Sequence, residues 1–125
     1  MKRTLLFAFA VLGVAGCGET ERRVAVSGRV TYQGKPLDEA LVVLMPSRET
    51  KSISARGGIR NGYFSIAEKN GPAPGRFRIE IDTIAQLTGN LTPGSVEIPV
   101  NYNQDSELFV EIPDRGAFEI ILDLK

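Results

Sequence analysis

Few residues of this chain can do chemistry, and the most informative is Cys17, the only thiol in 125 residues. It follows Val14-Ala15-Gly16 at the end of an apolar run that starts at Leu5, just after Lys2 and Arg3. A positive start, an apolar segment and small residues before a single cysteine form a secretory signal that ends in a lipid-attachment site. The remaining candidates are weaker. Asp38-Glu39 and Asp105-x-Glu107 are the closest carboxylate pairs, and general acid and base work would require them to share a cleft. Solvated turn carboxylates are the preferred reading of both. Ser65 and Lys69 are too widely spaced, in an expected strand and loop, for a serine-lysine dyad. Tyr32, Tyr63 and Tyr102 are possible ligand contacts, since an aromatic face packs against a pyranose. The competing and preferred reading has their rings filling the edges of a sheet while each hydroxyl finds a partner.

The chain has no histidine and no tryptophan. This removes Ser-His and Cys-His pairs, histidine bases and the usual zinc or copper ligand sets, so neither a metal nor a cofactor is expected. Any enzyme built here would rely on carboxylates, lysine or tyrosine. The chain has 15 basic and 15 acidic residues; without Lys2 and Arg3, 13 face 15 and the net charge is minus two. No basic stripe is present, which excludes nucleic acid as the natural partner. Asn90-Leu91-Thr92 fits a glycosylation triplet that occurs often by chance and is discounted.

The apolar segment is too short to span a bilayer, since about 12 residues at roughly 1.5 Å each reach about 18 Å against a core of about 30 Å. It resembles the signal peptides of bacterial lipoproteins. That resemblance implies a diacylglyceryl group on the Cys17 sulfur, cleavage before it, and acylation of the new first residue, so residues 1–16 are the signal and 17–23 a polar tether. Two or more acyl chains hold far better than one, each buried methylene adding roughly 0.8 kcal/mol. Gly18, in the place where an acidic residue retains some lipoproteins in the inner membrane, favours the outer membrane.

Removing residues 1–16 leaves 109, the size of one domain. Period-two alternation predicts a strand with Val24, Val26, Val30 and Tyr32 on one side. Gln33-Gly34-Lys35-Pro36 reverses the chain, and Ala40 to Met45 reads as a strand buried on both sides, ended by Pro46. Further strands are expected at Ser52 to Arg56, at Tyr63 to Ile66 after a glycine-rich turn over 57–62, and at Phe77, Ile79 and Ile81. Residues 83–95 resist assignment because the helical spacing of Ile84, Leu87 and Leu91 competes with Gly89, Pro93 and Gly94. Three closing strands are expected over Val96-Ile98-Val100, Leu108-Val110-Ile112 and Phe118-Ile120-Leu122-Leu124, the last two joined as a hairpin by Pro113-Asp114-Arg115-Gly116. These elements predict an all-β fold, an antiparallel β-sandwich of seven or eight strands, over residues 24–125.

Val26-Ser27-Gly28-Arg29-Val30-Thr31-Tyr32-Gln33-Gly34-Lys35-Pro36-Leu37 resembles the opening of the carboxypeptidase regulatory-like domain, a transthyretin-like sandwich. Tyr63-Phe64-Ser65-Ile66, Pro74 to Ile79, Ile98 to Tyr102 and Phe118 to Leu124 follow in that family's order. Members often carry Thr-Asp-x-Asp-Gly before the aromatic residue; here Arg56 to Gly62 lacks both aspartates, and no calcium role is implied. The resemblance implies a lipid-anchored, extracytoplasmic protein of the bacterial cell envelope. It would act as a non-catalytic binding or structural module, with an envelope protein as partner, reached through a strand edge or the loops at one end. The alternative is a carbohydrate-binding module that takes a polysaccharide. A third possibility, a hydrolase using Asp105 and Glu107, predicts turnover of a polysaccharide or ester.

Overall fold

Gly28 sits at the middle of the first strand because nothing larger fits there. A Cβ at that position would lie 2.3 Å from the Ile120 carbonyl oxygen and 2.6 Å from the Phe64 ring. The structure is a computed structural model that describes residues 22–125; the signal segment, Cys17 and most of the tether lie outside the described residues. β1 (Ala25–Tyr32) buries Val26 and Val30 with Val24 just ahead of it, while Tyr32 is half-buried. Gln33 and Gly34, both at positive φ (52° and 78°), turn the chain tightly into β2 (Lys35–Pro36).

β3 (Ala40–Pro46) buries Ala40, Val42 and Leu44, whereas Leu41, Val43 and Met45 are only half-buried. The apolar run is therefore a strand covered on one face rather than two. β4 spans Ala55–Ile59, three residues later than expected, and takes in Gly57 and Gly58. The bare Cα of Gly57 makes room for Ile66, whose Cγ1 would be 2.9 Å from a Cβ there. The turn shrinks to Arg60-Asn61-Gly62 before β5 (Tyr63–Ile66). β6 (Gly75–Thr83) buries Phe77, Ile79 and Ile81 and turns Arg78, Glu80 and Asp82 outward, with Arg78 paired to Glu80 at 2.6 Å.

The unassigned segment holds a short helix, α1 (Ile84–Thr88), capped by Thr83 and ended by Gly89 at φ 74°. No strand forms over 96–100. Val96 and Val100 are exposed and only Ile98 is buried. The backbone of Ile98 is held by side chains instead: its N–H donates to Gln86 Oε1 (3.1 Å), and its carbonyl accepts from Gln86 Nε2 (3.0 Å) and Asn103 Nδ2 (3.1 Å). A 3-10 turn, Val100–Tyr102, follows.

β7 (Phe109–Ile112) and β8 (Ala117–Leu124) do not form the expected hairpin. β7 pairs antiparallel with β6, while β8 pairs with β1, in parallel. Residues 113–116 thus carry the chain from one sheet to the other. One sheet is β5-β1-β8, with β2 beside the far end of β1; the other runs β4-β3-β6-β7. Among the described residues the fold is all-β, eight strands in two sheets, antiparallel except where β8 pairs with β1. Val26, Val30, Phe64 and Ile120 meet Val42, Leu44, Phe77, Ile79 and Ile81 between the sheets. Each such side chain contributes roughly 1.5–3 kcal/mol by leaving water.

Candidate functional site

The two ends of β1 differ in chemistry. An eight-residue strand separates them by about 23 Å at roughly 3.3 Å per residue. At the Tyr32 end lies an open cleft of about 680 Å³, lined by Tyr32, Lys35, Leu37, Asp38, Glu39 and Val96 among others. One wall is the turn before β3. Asp38 braces it, its Oδ1 accepting from the backbone N–H of Glu39 (2.9 Å) and of Asn61 (3.1 Å). The other wall is the 83–97 segment, tied to the first because Ile84 N–H donates to the Glu39 carbonyl at 2.8 Å. Along the segment that follows β6, Ile84, Leu87, Leu91, Val96 and Val100 are all exposed. The sequence signal for this patch was present, an apolar series interrupted by Gly89, Pro93 and Gly94, but the same series reads equally well as strand or helix.

At the opposite end, where the described chain begins, a second cleft of about 750 Å³ is lined by Arg22, Arg23, Glu68, Lys69, Asp114 and Arg115. Arg22 pairs with Asp114, and Arg23 Nη1 donates to the Lys69 carbonyl at 3.4 Å. Cys17 itself lies outside the described residues.

The three tyrosines do not share one surface. Tyr32 and Tyr102 both pack against the core near the end of β8: Leu124 is the register partner of Tyr32, and Lys125 N–H donates to the Tyr102 hydroxyl at 3.2 Å. The Tyr32 hydroxyl accepts from Gln33 Nε2 at 3.4 Å. Tyr63 lies on the outer face of β5, opposite Arg29, and is 52 % exposed. Of the carboxylates, Asp38 and Glu39 line the first cleft, whereas Asp105 and Glu107 are exposed in the loop before β7 and line neither cleft. Ser65 is exposed on β5, and Lys69 sits in the 3-10 turn beyond it. Asn90 is exposed just after α1. Burial pushes the Asp82 carboxyl above its ordinary 3.8, but Asp82 points outward from β6 and lines neither cleft. Among the described residues, no three His, Cys, Asp or Glu side chains gather as a metal site would require, and no helix is long and apolar enough to cross a membrane.

No family model, curated protein or solved structure matches the chain.

Proposed function

We propose that this chain is a lipid-anchored protein of the bacterial cell envelope, and that its sandwich is a non-catalytic binding module of the carboxypeptidase regulatory-like, transthyretin-like kind. On this reading Cys17 carries the acyl chains, and the domain faces an envelope protein outside the cytoplasm. One observation carries most of the weight: Arg22, five residues after Cys17 in the sequence, lies at the end of β1 remote from the open cleft and the exposed apolar segment. A short tether there would leave the interactive end directed away from the membrane. The experiment is metabolic labelling with palmitate, in the parent chain and in Cys17→Ser, combined with in-cell crosslinking from Val96. Label that is lost in the variant and crosslinks to an envelope protein support the reading. A chain that never takes up palmitate and fractionates with cytosolic proteins overturns it.

A second reading, a carbohydrate-binding module, draws on the cleft beside Tyr32, whose walls mix an aromatic ring with Lys35, Asp38 and Glu39. Sugar sites combine such stacking and hydrogen-bonding groups. A glycan array separates the readings, because a protein-binding module leaves it blank.

A further inference from the structure

We propose that the open edge of β8 accepts a β-strand from a partner protein, and that the strand it fits carries basic residues four positions apart around an apolar one. This rests on the binding-module reading and names its surface.

Among the described residues β8 is paired on one side only, by β1, in an unbroken parallel register from Ala117 to Leu124. Ala25 N–H donates to the Gly116 carbonyl (3.1 Å) and Gln33 N–H to the Leu124 carbonyl (2.9 Å). These two bonds fix the phase: even-numbered residues of β8 turn their backbone groups to β1, and Ala117, Glu119, Ile121 and Asp123 turn theirs to the other edge. Among the described residues no strand pairs with that edge. Ala117–Leu124 carries no proline, lysine or bulge to blunt the edge, and its only charges are the carboxylates Glu119 and Asp123. A row of free donors and acceptors of this length is a template for strand addition.

The side chains of the same residues specify what can lie beside them. Glu119, Ile121 and Asp123 share the outer face, and Ile121, at 72 % exposed, is the most exposed large apolar side chain among the described residues. Asp123 accepts from Thr31 Oγ1. Arg29 lies opposite Ile121 on β1, on the side away from the open edge. An added strand would place its residues about 4.5–5.5 Å from those of β8, where opposite charges attract and like charges repel. Lysine or arginine then fits opposite Glu119 and Asp123, and an apolar residue opposite Ile121.

One other occupant carries the wrong charge. A second copy paired antiparallel with Ile121 facing Ile121 sets Glu119 against Asp123 on both sides of the axis.

The test uses the full chain in detergent micelles and a fluorescent peptide, Thr-Lys-Thr-Val-Thr-Lys-Thr, beside a twin with glutamate at both lysine positions. The lysine peptide should bind at least about tenfold more tightly than its twin. Ile121→Pro removes a donor that faces the open edge and spares the bonds to β1, and should weaken binding about tenfold or more. Glu119→Lys with Asp123→Lys should reverse the preference, which keeps the test decisive if the proline variant folds poorly. Failure of both peptides to bind, equal binding of the two, or indifference to these variants overturns strand addition. Crosslinks to an envelope protein from Val96, with none from position 121, would keep the module reading while rejecting this surface.

Discussion

Thr83 and Gln86 hold each other across the first turn of α1: Thr83 Oγ1 accepts from Gln86 N–H at 3.1 Å, and Gln86 Oε1 accepts from Thr83 N–H at 3.1 Å. The same Gln86 amide also takes both backbone groups of Ile98. A single side chain thus closes a helix start and stands in for a strand neighbour. Gln86→Ala should therefore cost about 1–3 kcal/mol, because it strips partners from partly buried backbone groups. Hydrogen exchange should show the loss of protection spreading from Thr83 to Ile98 and Asn103, and a loss confined to α1 would contradict it.

Gly28→Ala places a methyl group where the Ile120 carbonyl and the Phe64 ring already are. Overpacking of this kind costs roughly 1–3 kcal/mol. Urea denaturation is the measurement, with Gly58→Ala as the control, since a Cβ at Gly58 meets nothing within 4 Å.

Asp82 predicts a pH dependence of definite sign. Burial raises its folded pKa above the ordinary 3.8, so between those two values the folded chain holds more of the proton than the unfolded one. Its contribution favours folding below 3.8 and is lost as pH rises through the folded value. Asp82→Asn should raise the Tm at pH 7, and the gain should shrink toward zero as pH falls below 3.8. A variant less stable than the parent at neutral pH would reverse this assignment.

The tyrosines should separate in their effects. Tyr32→Ala and Tyr102→Ala remove rings packed against the core and should each cost about 1–3 kcal/mol. Tyr63→Ala, on the outer face of β5, should cost within about 0.5 kcal/mol. If a glycan binds the cleft, Tyr32→Ala alone should abolish it, and loss in Tyr63→Ala would move the site to the outer face.

The strands that were legible are those whose alternation matches a single buried face: Val24, Val26 and Val30 in β1, Phe77, Ile79 and Ile81 in β6, Ile120 and Leu124 in β8. Val96, Ile98 and Val100 alternate just as cleanly, yet the period says only which residues could share a face. Gln86 and Asn103 took the hydrogen bonds that a neighbouring strand would have needed. Pro113-Asp114-Arg115-Gly116 misled for a related reason. A tight turn specifies a change of direction, and whether the next strand returns beside its predecessor depends on which older strand still has a vacant edge. The side of β1 away from β5 was that edge, 85 or more residues back along the chain. Of the candidate site, Tyr32 and the carboxylates of the Asp38 turn were visible as residue types, but their meeting with Val96 depends on Ile84 bonding Glu39, a contact without a local signature.

The parallel seam between β1 and β8 makes the chain a buckle whose tongue is synthesised long after its frame. Until β8 exists, β1 lacks a flank and Ile120 and Leu124 are missing from the interior. A truncated or partly made polypeptide therefore stays unlatched, and closure waits on a slow search between distant ends.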